Sequence, residues 1–168
     1  MAESKSPGTA RPVYSEKWGG APHSKQSLRL WLRLLSCSMV IEKRIRIRLE
    51  QDFETTLPRF DVLAALERET DGLTMSQLSA AMLVSNGNVT GVVSRLIEDL
   101  LVIRTTESDD RRVATVRLTR KGREAFHRMA RVHEEWIDHM FADLGEAQIE
   151  QLLKLLAAVR HSVEENAI

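Results

Sequence analysis

One cysteine in 168 residues excludes an intrachain disulfide and fits a reducing compartment. No stretch approaches the roughly 18 consecutive apolar residues that a membrane span requires. The N-terminus has no continuous apolar core after a basic start, so no signal peptide is expected; the expected location is cytoplasmic, with no membrane partner. Net charge is missing too, since 24 Lys and Arg oppose 24 Asp and Glu. That balance gives no direct support for nucleic-acid binding, although a local basic surface matters more than the total. Three of the four prolines and three of the eight glycines crowd into residues 1–23, which read as a flexible arm carrying Tyr14 and Trp18. The chain is 43% hydrophobic and 29% charged, enough for one domain with a sizeable core or a small domain elaborated for dimerisation.

Beyond the arm, apolar residues recur at helical spacing. Ser24 is placed to cap a first helix whose stripe is Leu28, Trp31, Leu32, Leu35, Met39, Ile45 and Leu49, with Lys43, Arg44, Arg46 and Arg48 crowding its second half. A loop with Phe53 and Leu57 leads to Pro58, a first-turn proline. Phe60, Val62, Leu63 and Leu66 mark a second helix that ends in Thr70–Gly72. Thr74 and Gln77 make a capping-box pattern before a third helix over 75–81. A fourth runs from Ser85 to about 99 with Val89, Val92, Val93 and Leu96 inward, leaving Asn86, Asn88, Thr90 and Ser94 for solvent or a ligand. Leu101–Thr106 and Val113–Leu118 alternate as hairpin strands around the charged tip Ser108, Asp109 and Asp110. Thr119 caps a fifth helix reaching about Phe141. A sixth starts near Gly145–Glu146 with Ile149, Leu152, Leu153, Leu156 and Val159 as its stripe. No internal repeat interrupts this order.

Two short helices followed by a charged hairpin are what a winged helix-turn-helix needs: one helix for the major groove, one hairpin for neighbouring phosphates or the minor groove. The expected fold is therefore mainly α, with a small antiparallel β wing and long helices forming a dimerisation region. Its parts are an arm at 1–23, an N-terminal dimerisation helix and loop at 24–57, the DNA-binding region at 58–122, and C-terminal dimerisation helices at 123–168. Asparagine amides can bond adenine edges, and hydroxyls can reach bases or phosphates. Ser85, Asn86, Asn88, Thr90 and Ser94 are the candidate contacts on the fourth helix. The plainer reading, a capped surface helix, loses to DNA contact because of the adjoining hairpin. Arg111 and Arg112 at the hairpin tip can enter a narrow minor groove or grip phosphate, or one can pair with Asp109 or Asp110. Arg95 and Arg104 are secondary candidates, equally readable as structural. One reading head discriminates poorly, so a two-fold dimer on a palindrome is the expected assembly. Leu152, Leu156 and Val159 could serve that dimer or an intrachain core.

These residues resemble the MarR family of bacterial winged-helix transcription regulators, over most of 26–163 and most strongly from Leu73 to Gly122. Thr74–Ser79 is similar to the family's first motif helix and Val84–Leu96 to its recognition helix. Asp110, Arg111 and Arg112, followed after five residues by Leu118, Thr119 and Gly122, match its wing and the next helix. The resemblance implies that Asp110 orients a wing arginine. Gly91 stands where many relatives present a basic side chain, and Leu100 where a glycine usually turns the chain, so either Leu100 accepts that bend or the turn differs. The Asn86–Gly91 run resembles a subgroup associated with aromatic-compound catabolism. The implied function is repression, relieved by an effector lodged between the dimer helices and the reading head. Arg44, Arg46 and Arg48 fit an anionic effector such as an aromatic carboxylate or its coenzyme A thioester, and Trp31, Phe53 and Phe60 could line its pocket. For each, a solvated helix face or ordinary core is the competing reading.

Other chemistry is thinner. Peroxide-sensing relatives carry a reactive cysteine in the first helix with tyrosines beside it. Here Cys37 follows Leu34 and Leu35, and the only tyrosine is Tyr14, so a buried, inert thiol is expected. A thiol-oxidation sensor using Cys37 and a dimeric adaptor that does not bind DNA stand as alternatives. His127, His133 and His139 fall on different helical faces and His161 is isolated, so no metal site is expected. No nucleophile–base pair or phosphate-cradling loop stands out, and neither enzymatic activity nor a cofactor is expected.

Overall fold

The computed structural model describes residues 22–82, 86–106 and 114–166. The chain divides into two compact units, residues 1–47 and 48–168. Helix α1, Pro22–Phe53, begins two residues before Ser24, so that serine lies inside the helix rather than capping it. It also takes in Phe53, which the sequence placed in a loop. Within the first unit Leu28, Leu30, Trp31, Met39 and Val40 are exposed and Ile45 is buried. The helix stops at Glu54, which turns left-handed at φ 51°; its amide donates to the Glu50 carbonyl at 3.1 Å.

In the second unit, α2 (Leu57–Glu67) carries Pro58 in its first turn and buries Phe60, Val62, Leu63 and Leu66. Proline there gives up an N–H that would have had no helical partner. The chain reverses at Gly72, φ 83°. A Cβ there would lie 2.5 Å from Arg117 Cγ and 2.6 Å from the Val116 carbonyl oxygen, so conformation and space both demand glycine. Strand β1 (Leu73–Thr74) follows, then α3 (Met75–Ala81), whose capping box is complete. Gln77 N donates to Thr74 Oγ1 at 3.2 Å, and Thr74 N donates to Gln77 Oε1 at 2.9 Å.

Helix α4 (Asn86–Glu98), strands β2 (Val102–Thr106) and β3 (Ala114–Leu118), α5 (Arg120–Met140) and α6 (Glu146–Glu165) complete the order. The hairpin expectation holds, with Val102 opposite Leu118 and Thr106 opposite Ala114. The sheet order is β1-β3-β2, all antiparallel, with Leu73 opposite Val116. The third strand was not anticipated, because two residues are too few to show a period.

The core lies between α2, α3, α4 and the inner face of the sheet. Leu63, Leu66, Leu78, Val89, Val93, Leu96, Val102 and Val116 are all essentially inaccessible, each stabilising by about 1.5–3 kcal/mol relative to exposure. Helix α5 adds Met129 and Trp136. Phe60 stacks on Phe126 and His133 at 5.6 and 4.9 Å, and Phe53 lies 6.0 Å from Trp136. Glu67 ties α2 to α5 through Arg123 at 3.1 Å and His127 at 2.7 Å. Helix α6 buries none of its residues; Leu152, Leu153, Leu155 and Leu156 are exposed. Leu152 and Leu156 are therefore not part of the second unit's core.

Candidate nucleic-acid interface

With Val89, Val93 and Leu96 turned inward, the 3.6-residue period carries Gly87, Asn88, Thr90, Gly91, Ser94 and Arg95 outward, and each of them is exposed. The outward face is therefore polar and shallow. A Cβ built on Gly87 or Gly91 would meet nothing within 4 Å, so neither glycine is required by internal packing. Asn86 opens the helix. Ser85, Asp110, Arg111 and Arg112, with the rest of the hairpin tip, lie outside the described residues. The strands that carry the tip are described, and the Thr105 and Thr115 hydroxyls lie 2.9 Å apart across them. Arg104 is exposed on β2.

The C-terminal end of α4 is tightly fastened. Leu100 adopts φ 60°, its amide donates to the Ile97 carbonyl at 2.9 Å, and the Leu101 amide donates to the Leu96 carbonyl at 2.9 Å. This is a Schellman turn with leucine where glycine is usual, so Leu100 accepts the bend. Thr119 caps α5 by accepting from the Gly122 amide at 2.9 Å, while its own hydroxyl reaches the Leu100 and Leu101 carbonyls at 2.8 and 3.1 Å. Lys121 Nζ donates to the Asp99 carbonyl at 2.9 Å. Across the same end, the Asp99 carboxylate is bonded by the guanidinium of Arg59, from the start of α2. The hydrogen bond from Arg59, and then its charge, hold the Asp99 carboxyl below the usual carboxylate range. The pair offsets the negative charge of Asp99 at this end of α4. Arg59, Asp99 and Lys121 were missed by sequence reasoning. The two members of the pair stand 40 residues apart, and no periodicity links positions so distant.

The candidate effector residues are divided between the two units. In the first unit, Trp31 is 57% exposed, Arg44 is exposed, and Arg46 is paired with Glu42. In the second, Arg48 lies 3.8 Å from Asp52 and its guanidinium 5.7 Å from the Trp136 ring centroid. Phe60 is core, and Phe53 is half-buried beside Trp136. Cys37 is exposed, which corrects the expectation of a buried thiol: Leu34, one turn earlier on the same side of α1, is itself only half-buried. His127 is engaged by Glu67 and His133 by the aromatic cluster, while His139 and His161 are exposed. No described helix is long and apolar enough to cross a membrane.

Known proteins share this arrangement. A family model described as MarR family matches residues 54–113. The HTH-type transcriptional repressor IacR of Pseudomonas putida is 32% identical over 117 residues, covering 70% of this chain and 70% of its own length. The transcriptional activatory protein BadR of Rhodopseudomonas palustris is 32% identical over 104 residues, covering 61% of this chain and 59% of its own. Among solved structures, a MarR family transcriptional regulator from Silicibacter pomeroyi is similar at 27% identity and a TM-score of 0.71, covering 87% of this chain and 99% of its own. These relatives are transcriptional regulators rather than enzymes, and the adaptor alternative falls with them. The polar α4 face, the antiparallel wing strands and these matches together place the chain in the MarR family of winged helix-turn-helix, DNA-binding transcriptional regulators.

Proposed function

We propose that this protein is a two-fold dimeric repressor that reads a palindromic operator and is released from it by a small anionic or aromatic effector, such as an aromatic carboxylate or its coenzyme A thioester. The observation carrying this reading is the polar, side-chain-poor outer face of α4 set beside the strands that lead to Arg111 and Arg112. Asn88 would read a base edge, with Ser85, Asn86, Thr90 and Ser94 bonding bases or phosphates around it. Arg95, Arg111 and Arg112 would supply the phosphate and minor-groove contacts, with Asp110 orienting the wing. Gly91 would let the helix backbone approach the groove closely. The exposed leucines of α6 support dimerisation, because water-facing apolar stripes of this length call for a partner. The name of one relative states repression and that of another activation, so repression rests on the closer sequence match in extent.

Arg111→Ala and Arg112→Ala should each weaken operator binding and lower its salt slope by about one phosphate equivalent; an unchanged slope would sink the phosphate contacts. Aromatic carboxylates and thioesters should release operator DNA from the parent protein, and less so from Arg44→Ala, Arg46→Ala or Arg48→Ala. Release undiminished in all three would remove those arginines from the effector site. A second reading has one observation in its favour, the exposure of Cys37: a thiol-oxidation sensor. Cys37→Ser should then abolish peroxide-induced release while operator binding survives.

A further inference from the structure

We propose that the Arg59–Asp99 pair, held from its other side by Lys121, is a positioning device: it sets the angle at which α4 meets DNA and thereby governs discrimination between sequences rather than grip on the backbone. The inference rests on α4 being the reading helix. Arg59 stands at the start of α2 and is 20% exposed; Asp99 stands at the end of α4 and is 50% exposed. The pair therefore ties two helices through an ion pair that borders solvent. Behind it there is little slack. Lys121 and Thr119 take the carbonyls of Asp99, Leu100 and Leu101, and a Cβ on Gly122 would fall 1.9 Å from the Leu101 carbonyl oxygen. The turn after α4 is thus fixed to α5, and Arg59 completes the fixation toward α2.

Geometry makes α4 a lever pivoted at this end. Asn88 lies about 16 Å from Asp99 at 1.5 Å rise per residue, so a 5° tilt at the pivot displaces it by about 1.4 Å. Hydrogen bonds to a base edge fail over a few tenths of an ångström. Attraction of arginines to phosphate falls off slowly with distance and survives such a shift. A loosened pivot therefore loses sequence preference before it loses DNA.

Three variants separate positioning from charge. Asp99→Asn raises the net charge by one, Arg59→Gln lowers it by one, and the double variant restores the parental value. Each is measured on the duplex that the parent protein selects from a random-sequence pool and on a scrambled duplex of equal composition. Positioning predicts that all three lower the selected-to-scrambled affinity ratio, by roughly ten-fold. Affinity for scrambled DNA should meanwhile rise with Asn, fall with Gln and return to parental in the double. Amides of Leu100 and Leu101 should exchange hydrogen faster in all three, with Tm moved by about 4 °C or less. Arg59→Lys, which keeps the charge but loses the planar fork, should fall between parent and Gln. A double variant with the parental ratio, or single variants whose ratios move in opposite directions with charge, would overturn the proposal. Asn88→Ala, run in parallel, tests the underlying reading. An unaltered preference there counts against α4 as reader, whereas altered preference with an unmoved ratio in the double variant counts against the clip alone.

Discussion

Leu100 carries a cost that the rest of the turn makes it bear. A branched side chain at φ 60° crowds its own carbonyl, and this one is 66% exposed, so burial returns little. Leu100→Gly should raise stability by about 0.5–1 kcal/mol, the relief of strain exceeding the added freedom of the unfolded chain; a lower Tm would contradict this. Gly122 is the opposite case. Its missing side chain is where the Leu101 carbonyl sits, and Gly122→Ala should cost about 1–3 kcal/mol in denaturant unfolding. The first of these residues could be flagged from the resemblance, as a departure from glycine. For Gly122 the sequence offered a motif match but no reason, because the reason is a neighbour brought close only by folding.

Among the elements, the caps were the most legible. Thr74 with Gln77 and Thr119 at the start of α5 follow from local rules that act within three or four residues, and both are realised. Thr119→Ala should destabilise by about 1–2 kcal/mol, and should also quicken hydrogen exchange in α4's last turn, since the same hydroxyl serves Leu100 and Leu101. Ser24 failed as a cap and Phe53 as a loop residue because a long helix has no internal signal for where it stops. Helix α5 also carries a half-buried histidine in the aromatic cluster. Burial against Phe60 and Trp136 pushes the His133 pKa below its ordinary 6.5. The unfolded chain takes up that proton first, so His133's contribution is complete above about pH 6.5 and is lost as pH falls through the lower folded pKa. Tm should decline between about pH 7 and 5, and His133→Gln should flatten part of that decline. An identical profile in the variant would assign the slope elsewhere.

At the scale of the molecule, exposed apolar surface on α6 supports the proposed assembly. Ile149, Leu152, Leu153, Leu155, Leu156 and Val163 on α6 are all exposed. Leu152→Glu combined with Leu156→Glu should yield a monomer by sedimentation equilibrium, with the helical circular dichroism of the second unit retained. Operator affinity should fall by at least a hundred-fold, since the proposed dimer would be reduced to single reading heads (roughly the avidity of paired sites). A dimer that persists would move the interface off α6.

Local chemistry was enough to announce the reading head. Capping residues, helical and strand periods, and the order of helix, helix and hairpin each depend on neighbours a few positions apart, and those neighbours are visible in a linear string. The fastening of α4 was not, nor were the third strand and the exposure of Cys37, and for the stripe of α6 the sequence left a dimer seam and an intrachain core both open. These depend on which distant side chains meet, as Arg59 meets Asp99 and Leu73 meets Val116, and such meetings arise only when the core closes and brings remote segments within bonding distance.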